Sequence, residues 1–437
     1  MSDYQHPQDV NLSGAHRALK YDGDGEPTMR VSIEAVEPNS GLPSAVFNEA
    51  GNTAGNVDAF GRQRVAQPFT MFEATNVGKK TDKFFEVLQG NAIITHDASK
   101  SKTMLTTPAA GDRADFKSKR KIAYQPGKSM LSMLTFRMDT PTDGVIQQVG
   151  LLNGTDGVTF QANGAGLTMA LQSSTTATVI TPQSEWNIDT MDGNGPSGII
   201  LDVTKTQIFF IDIEWLGVGS VRTGFVVNGQ LVTTHIFHNA NYRTDPYMLT
   251  ANLPVHYCID NVSAVGTYTM DFICCAVMSE GGFQASAAGV TDGTDALVGV
   301  GVGVDWVNLA SIRLDTAYPN AIVVPAGIDL LNISNTNFEW GLFVDATFAA
   351  PLSFANSAYS DVVEIAKDAT VLTGLGSRVD GGYLGGNTAP VSFGDGELTW
   401  DNQLGWNDTT TPQVLTLAIR SGAPSKTAAG LIKWYEV

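Results

Sequence analysis

FFIDIEWLGVGSVRTGFVVNG, residues 209–229, reads as two extended segments joined by a glycine turn. Phe209, Ile211, Ile213 and Trp215 alternate with Phe210, Asp212, Glu214 and Leu216. Period two is the signature of a strand, whose successive side chains point to opposite faces. One face is apolar and suits a core. The other carries Asp212 and Glu214 side by side, either open to water or lining a concave groove. The pair VNGQ at 227–230 then supplies an Asn-Gly hairpin turn, because both central residues of such a turn need positive φ.

The same pattern extends in both directions. FFEVLQGNAIITHD, SMLSMLTFRMD, VIQQVGLLN and GVTFQAN precede the stretch, and QLVTTHIFH, PVHYCID and TYTMDFICCAVMSE follow it. Turn signals such as NGTDG, NGAG and DGNGPSG separate them. Short strands at this spacing predict an all-β fold with an antiparallel β-sandwich, of the jelly-roll or concanavalin-like kind. Composition agrees. Of 437 residues, 16% are charged and 45 are glycine, whereas roughly a quarter charged is typical of globular chains.

Four regions are expected. Residues 1–74 form an extended N-terminal arm, polar and aperiodic up to about residue 57. Residues 75–282 form the main sandwich. Residues 283–296, in EGGFQASAAGVTDGTD, read as a linker rich in small residues. Residues 297–437 form a second, smaller β-sandwich, with alternations such as IRL and LNI.

A net charge of -18 disfavours general nucleic-acid binding. The one basic run, KSKRK from Lys117 to Lys121, reads as a solvated face. Cys258, Cys274 and Cys275 are too few and too oddly placed for a disulfide framework and read as small buried hydrophobes. The N-terminus lacks the apolar segment of a signal peptide. No apolar run reaches the roughly 18 residues of a membrane helix. Synthesis in a cytoplasm, with no membrane insertion, is the expectation.

Several constellations compete for a chemical role. Asp212 and Glu214 resemble a glycosidase pair, which in retaining enzymes needs carboxyls about 5–5.5 Å apart. The E-x-D-x-x-E strand of jelly-roll glycosidases is matched only in part, since Phe210 stands at its first glutamate. Asp189, Asp192 and Asn194 crowd one glycine-rich loop and could hold calcium, though the spacing is not that of an EF-hand. The alternative is a turn in which these side chains bond their own backbone. Trp400 and Trp406, near Asp395, Glu397, Asp401 and Asp408, suit either sugar stacking or a core. His235, His238 and His256 make a weak metal candidate. GKS at 127–129 lacks the upstream glycine of a phosphate loop, and GVGVGV at 299–304 reads as a strand with one bare face. No cofactor is called for, calcium aside.

DAFGRQRVAQPFTMFEA, YQPGKSM, the run from SEWNIDTMDGNGPSG through IEWLGVGSVRTGFVVNG, and YMLTANLPVHY resemble a group of structural proteins of tailed bacteriophages, many of them marine. The resemblance covers residues 57–280. It implies a non-enzymatic virion component, from capsid, tail or fibre. Docking through the arm on other virion proteins and homo-oligomerisation, as a trimer by preference, are compatible with such a part. A receptor- or glycan-binding module that contacts a host surface glycan through Asp212, Glu214, Trp400 and Trp406 is the alternative. A polysaccharide depolymerase is the third reading.

Overall fold

The computed structural model describes residues 68–282, 289–294, 304–332, 334–386, 402–423 and 426–436. It also gives the backbone of strands Arg17–Tyr21, Pro27–Val31, Val300–Val302 and Val391–Phe393. Trp400, most of the arm, and residues 283–288 and 295–299 of the junction region lie outside the described residues.

The chain is all-β, as its alternation predicts. Two antiparallel sheets form the larger sandwich. The seven-stranded sheet runs Val179–Pro182, Gly166–Gln172, Gly157–Asn163, Val145–Leu152, Val255–Asn261, Asp112–Ser118, Phe84–Gln89. The eight-stranded sheet runs Gln230–Phe237, Val221–Val227, Gln207–Ile213, Ser129–Met138, Tyr268–Glu280, Lys102–Thr107, Ile93–Asp97, with Phe69–Thr75 also paired to Tyr268–Glu280. Aromatic rings lock the inner faces together. Phe116 of one sheet meets Phe272 of the other at 5.7 Å, and Phe160 meets Phe209 at 5.7 Å.

The quoted stretch forms the hairpin it suggests. Gln207–Ile213 pairs with Val221–Val227, and Asn228 (φ 51°) and Gly229 (φ 79°) turn the chain into Gln230–Phe237. Phe209, Ile211 and Ile213 enter the main core.

A second, smaller sandwich follows. One sheet contains Gly289–Gly293, Lys426–Glu436, Val323–Asn332 and Val391–Phe393, with Val300–Val302 on the long strand Lys426–Glu436. The other runs Ala355–Asn356, Val363–Ala366, Val307–Leu314, Leu415–Ser421, Phe338–Val344, Ser377–Leu384. Leu309, Ile312, Leu417 and Trp340 of the latter pack on Ile328, Leu330, Ile432 and Trp434 of the former.

Two boundaries differ from expectation. Phe69–Thr75 is a strand of the main sheet, with Met71 and Phe72 buried, so its alternation marks the sandwich rather than the arm. Gly289–Gly293, inside the expected linker, pairs with Tyr435–Leu431. Its glycine and threonine content hid a strand that gets its stability from a long partner.

Part of the basic run is engaged rather than solvated. The backbone carbonyls of Lys119 and Lys121 accept the Trp406 N–H at 2.7 Å and the Gln403 amide at 2.7 Å. The Lys121 ammonium donates to the Pro319 carbonyl at 2.5 Å and to Asn320 Oδ1 at 2.7 Å. Burial, and then Lys117 nearby, pull its pKa down to about 8. Ile322 and Val324 join the main core, while Phe85 packs on the second. The two sandwiches therefore share an apolar joint stitched by this run. Lys121→Ala should cost about 1.5–3 kcal/mol, the worth of a hydrogen bond to a charged donor. Differential urea unfolding of wild type and variant measures it, and an unchanged midpoint would remove the joint role.

Candidate functional site

Asp212 and Glu214 do not make an open acidic row. Asp212 is fully buried. Its Oδ1 accepts the Ser129 hydroxyl at 2.7 Å, and its Oδ2 accepts Arg222 Nη2 at 2.8 Å. Arg222 stands directly across from it in register. The face is right, but it is not open: Phe210 beside Asp212 is buried among the neighbouring side chains of the same sheet, Leu131, Met133, Val226, Leu231 and Met278. Glu214 lies past the strand end. Its backbone N–H donates to the Ser220 carbonyl at 3.0 Å, and its carboxylate accepts the Ser220 N–H at 3.2 Å. One carboxylate ties strands together and the other closes a turn, so the glycosidase arrangement is not formed.

The Asp189 loop resolves as a turn network. Asp189 accepts the Met191 N–H at 2.9 Å with one oxygen and the Ser197 N–H at 2.8 Å with the other. Asp192 accepts the Thr190 hydroxyl and the Asn194 N–H. Asp189 is buried while Asp192 and Asn194 are exposed, and each carboxylate is engaged by the loop's own backbone and hydroxyls. Gly195 is required there, because a Cβ would lie 2.1 Å from Asp189 Oδ1. Gly195→Ala should destabilise by about 1–3 kcal/mol through overpacking, read as a lowered urea midpoint; an unaltered midpoint would mean the loop yields freely.

Trp406 is a core residue, 7% exposed, packed with Leu404 and Leu415 in the second sandwich. It offers no face to a sugar. His235 sits in the eight-stranded sheet and accepts the Asn187 N–H on Nδ1 at 3.3 Å. His256 sits in the seven-stranded sheet, so these histidines do not meet.

His256 belongs instead to a buried network that spacing alone did not reveal. Asp115 Oδ1 faces His256 Nε2 at 2.7 Å. Asp115 also takes Arg113 through both oxygens, at 2.7 and 2.9 Å. Arg113 reaches Asp260 at 2.9 Å as well. The ligand atoms of Asp115, His256 and Cys258 lie within 4.8 Å of one another, the one such His/Cys/Asp/Glu trio among the described residues. Burial raises the Asp115 pKa, but the bonds from His256 and Arg113 outweigh it and hold the carboxyl well below its usual range. Burial pushes the Cys258 thiol far up, and Asp115 adds to this. The thiol is therefore protonated, which is the opposite of an activated nucleophile. The available signals were two i, i+2 pairs, Arg113/Asp115 and His256/Cys258, each sharing a face of its strand.

A different polar group is exposed on the six-stranded sheet. Glu339 pairs in register with Tyr383 on one side and Arg420 on the other, which puts all three on one face. Glu339 accepts Arg378 Nη1 at 3.0 Å and Arg420 Nε at 2.8 Å. The Trp306 ring lies under both guanidiniums, 4.9 Å from that of Arg420 and 5.5 Å from that of Arg378. Tyr383 is 79% exposed. A groove of about 380 Å³ runs past Asn337, Glu339, Tyr383, Arg420 and Gly422.

A scan of family models found none that matches the chain, and a search of curated proteins found none similar in sequence. Among solved structures, peanut lectin with a nine-residue peptide aligns over 49% of this chain and 98% of its own, at 14% identity and a TM-score of 0.30. A carbohydrate esterase from a Shiga toxin-encoding bacteriophage aligns over 48% and 99%, at 11% identity and 0.31. A glycosyl hydrolase family 16 protein from Mycobacterium smegmatis aligns over 48% and 99%, at 11% identity and 0.33. At these scores the alignments assign no ligand and no reaction to this chain.

Proposed function

We propose that the chain is a non-enzymatic structural component of a tailed-bacteriophage particle, docked through its N-terminal arm and assembled as a homo-oligomer. The observation that carries this reading is the fate of its most enzyme-like groups. Asp212 is bound to Ser129 and Arg222, and Asp115 to Arg113 and His256. These groups hold strands together. The shared apolar joint and the low fraction of charged residues suit a part that persists outside cells, and the sequence phrases at 57–280 resemble the same class.

Mass spectrometry of gradient-purified particles tests it. The chain should be present in fixed stoichiometry to the major capsid protein. Its absence from clean particles would overturn the proposal. A second reading, a glycan-adhering module of the same particle, is favoured by one observation: the exposed Tyr383 beside Glu339 and Arg420. It does not use Asp212 or Trp406, which are buried.

A further inference from the structure

We infer that the Tyr383–Glu339–Arg420 row is a binding site for an acidic saccharide, which deepens the glycan-binding reading and rests on it. The row is built before any ligand arrives. Glu339 holds Arg378 and Arg420 by ion pairs, and both guanidinium carbons lie over the Trp306 ring. Two glycines make room for this: a Cβ at Gly381 would lie 2.0 Å from Arg378 Nη2, and one at Gly341 would lie 3.3 Å from Arg378 Nε. Arg378 is thereby consumed, since its Nη2 also donates to the Trp340 carbonyl at 2.9 Å.

Arg420 is not consumed. Its Nε and Nη2 face Glu339, and its Nη1 has no partner among the described residues. Two guanidiniums against one carboxylate leave the spot with a local positive charge, on a chain whose net charge is -18. A ligand carboxylate is what such a donor fits. At the other end of the row, the Tyr383 ring is an exposed apolar face with a polar tip, which suits the C–H face of a sugar. The two flank Glu339 on neighbouring strands, so about 10 Å separates them at ordinary strand spacing. That span accommodates a sugar pair, with its ring on Tyr383 and its acid group on Arg420. The groove volume of about 380 Å³ is of ligand-site size.

The test uses the full chain and titrations with digalacturonate and 3′-sialyllactose, against lactose as the neutral control. The expected result is weak binding of an acidic probe, Kd about 1 mM or tighter, that falls as salt is raised. Lactose should bind at least about tenfold more weakly, the discrimination expected when a charged hydrogen bond is lost. Tyr383→Ala and Arg420→Gln should each weaken the acidic probe by about tenfold. Tyr383→Ala leaves the ion pairs in place, so it keeps the test valid if Arg420→Gln unfolds. No binding of either acidic probe, equal binding of lactose, or full affinity in Tyr383→Ala would overturn the inference. The chain's presence in particles is a separate measurement, so virion membership and saccharide binding fail independently.

Discussion

Asp212→Ala lowers the stability of the chain by about 3–5 kcal/mol, the usual cost of breaking a buried ion pair from one side. The pair is in the least forgiving place. Asp212 is fully buried, Arg222 is 8% exposed, and their contact is 2.8 Å. Removing the carboxylate takes from Arg222 its in-register ion-pair contact and from Ser129 one acceptor of its hydroxyl. Urea unfolding should show a much lower midpoint. The double variant Asp212→Leu with Arg222→Met should recover most of the loss, because apolar residues of similar volume often match such a pair. If Asp212→Ala unfolds at the wild-type midpoint, the carboxylate is not a strand tie and a role in chemistry returns to the table.

Acid should weaken the chain from about pH 6.5 downward, well before carboxylates titrate. Burial, and then His238 nearby, pull the His235 pKa from 6.5 to about 4. Geometry gives the reason: its Nδ1 accepts the Asn187 N–H, and a proton there would remove that acceptor. Burial also lowers the pKa of His256, against the opposing pull of Asp115. A base whose folded pKa is depressed stabilises the fold fully above its unfolded value. That contribution is lost as pH falls toward the folded value, since the unfolded chain takes the proton first. For His235 the loss reaches at most about 3 kcal/mol near pH 4, less whatever solvent screening removes. Asp115, also depressed, adds a further loss once pH drops below the ordinary carboxylate range. Urea midpoints at pH 7.5, 6 and 4.5 should therefore decline, and His235→Gln should flatten the upper part of that decline. A flat profile down to pH 4.5 would show that neither imidazole is held neutral.

Much of the architecture was legible. The alternation at Phe209, Ile211 and Ile213, the Asn228–Gly229 turn and the run of short strands all predict antiparallel sheets, and the sheets form as read. Even the face on which Asp212 lies was right. Its exposure was not, because a strand pattern says which side a residue takes and nothing about which cross-strand neighbours crowd that side. Trp406 posed the same problem. An aromatic beside acids reads equally as a sugar platform or an anchor, and only its place in the second core decides. Lys117–Lys121 looked like a solvated run because charge predicts exposure, while here main-chain carbonyls and one ammonium join two sandwiches.

By itself the sequence determined local conformation: strand faces, turns and the all-β class. These follow from side-chain periodicity and φ preferences, which act over a few residues. Tertiary structure decided the pairings of polar groups that lie far apart along the chain. Arg222 meets Asp212 ten residues away, His256 meets Asp115 across 141, and Arg420 meets Glu339 across 81. Register across a sheet brings such groups within 3 Å, and whether a carboxylate serves chemistry or stability depends on which partner register delivers.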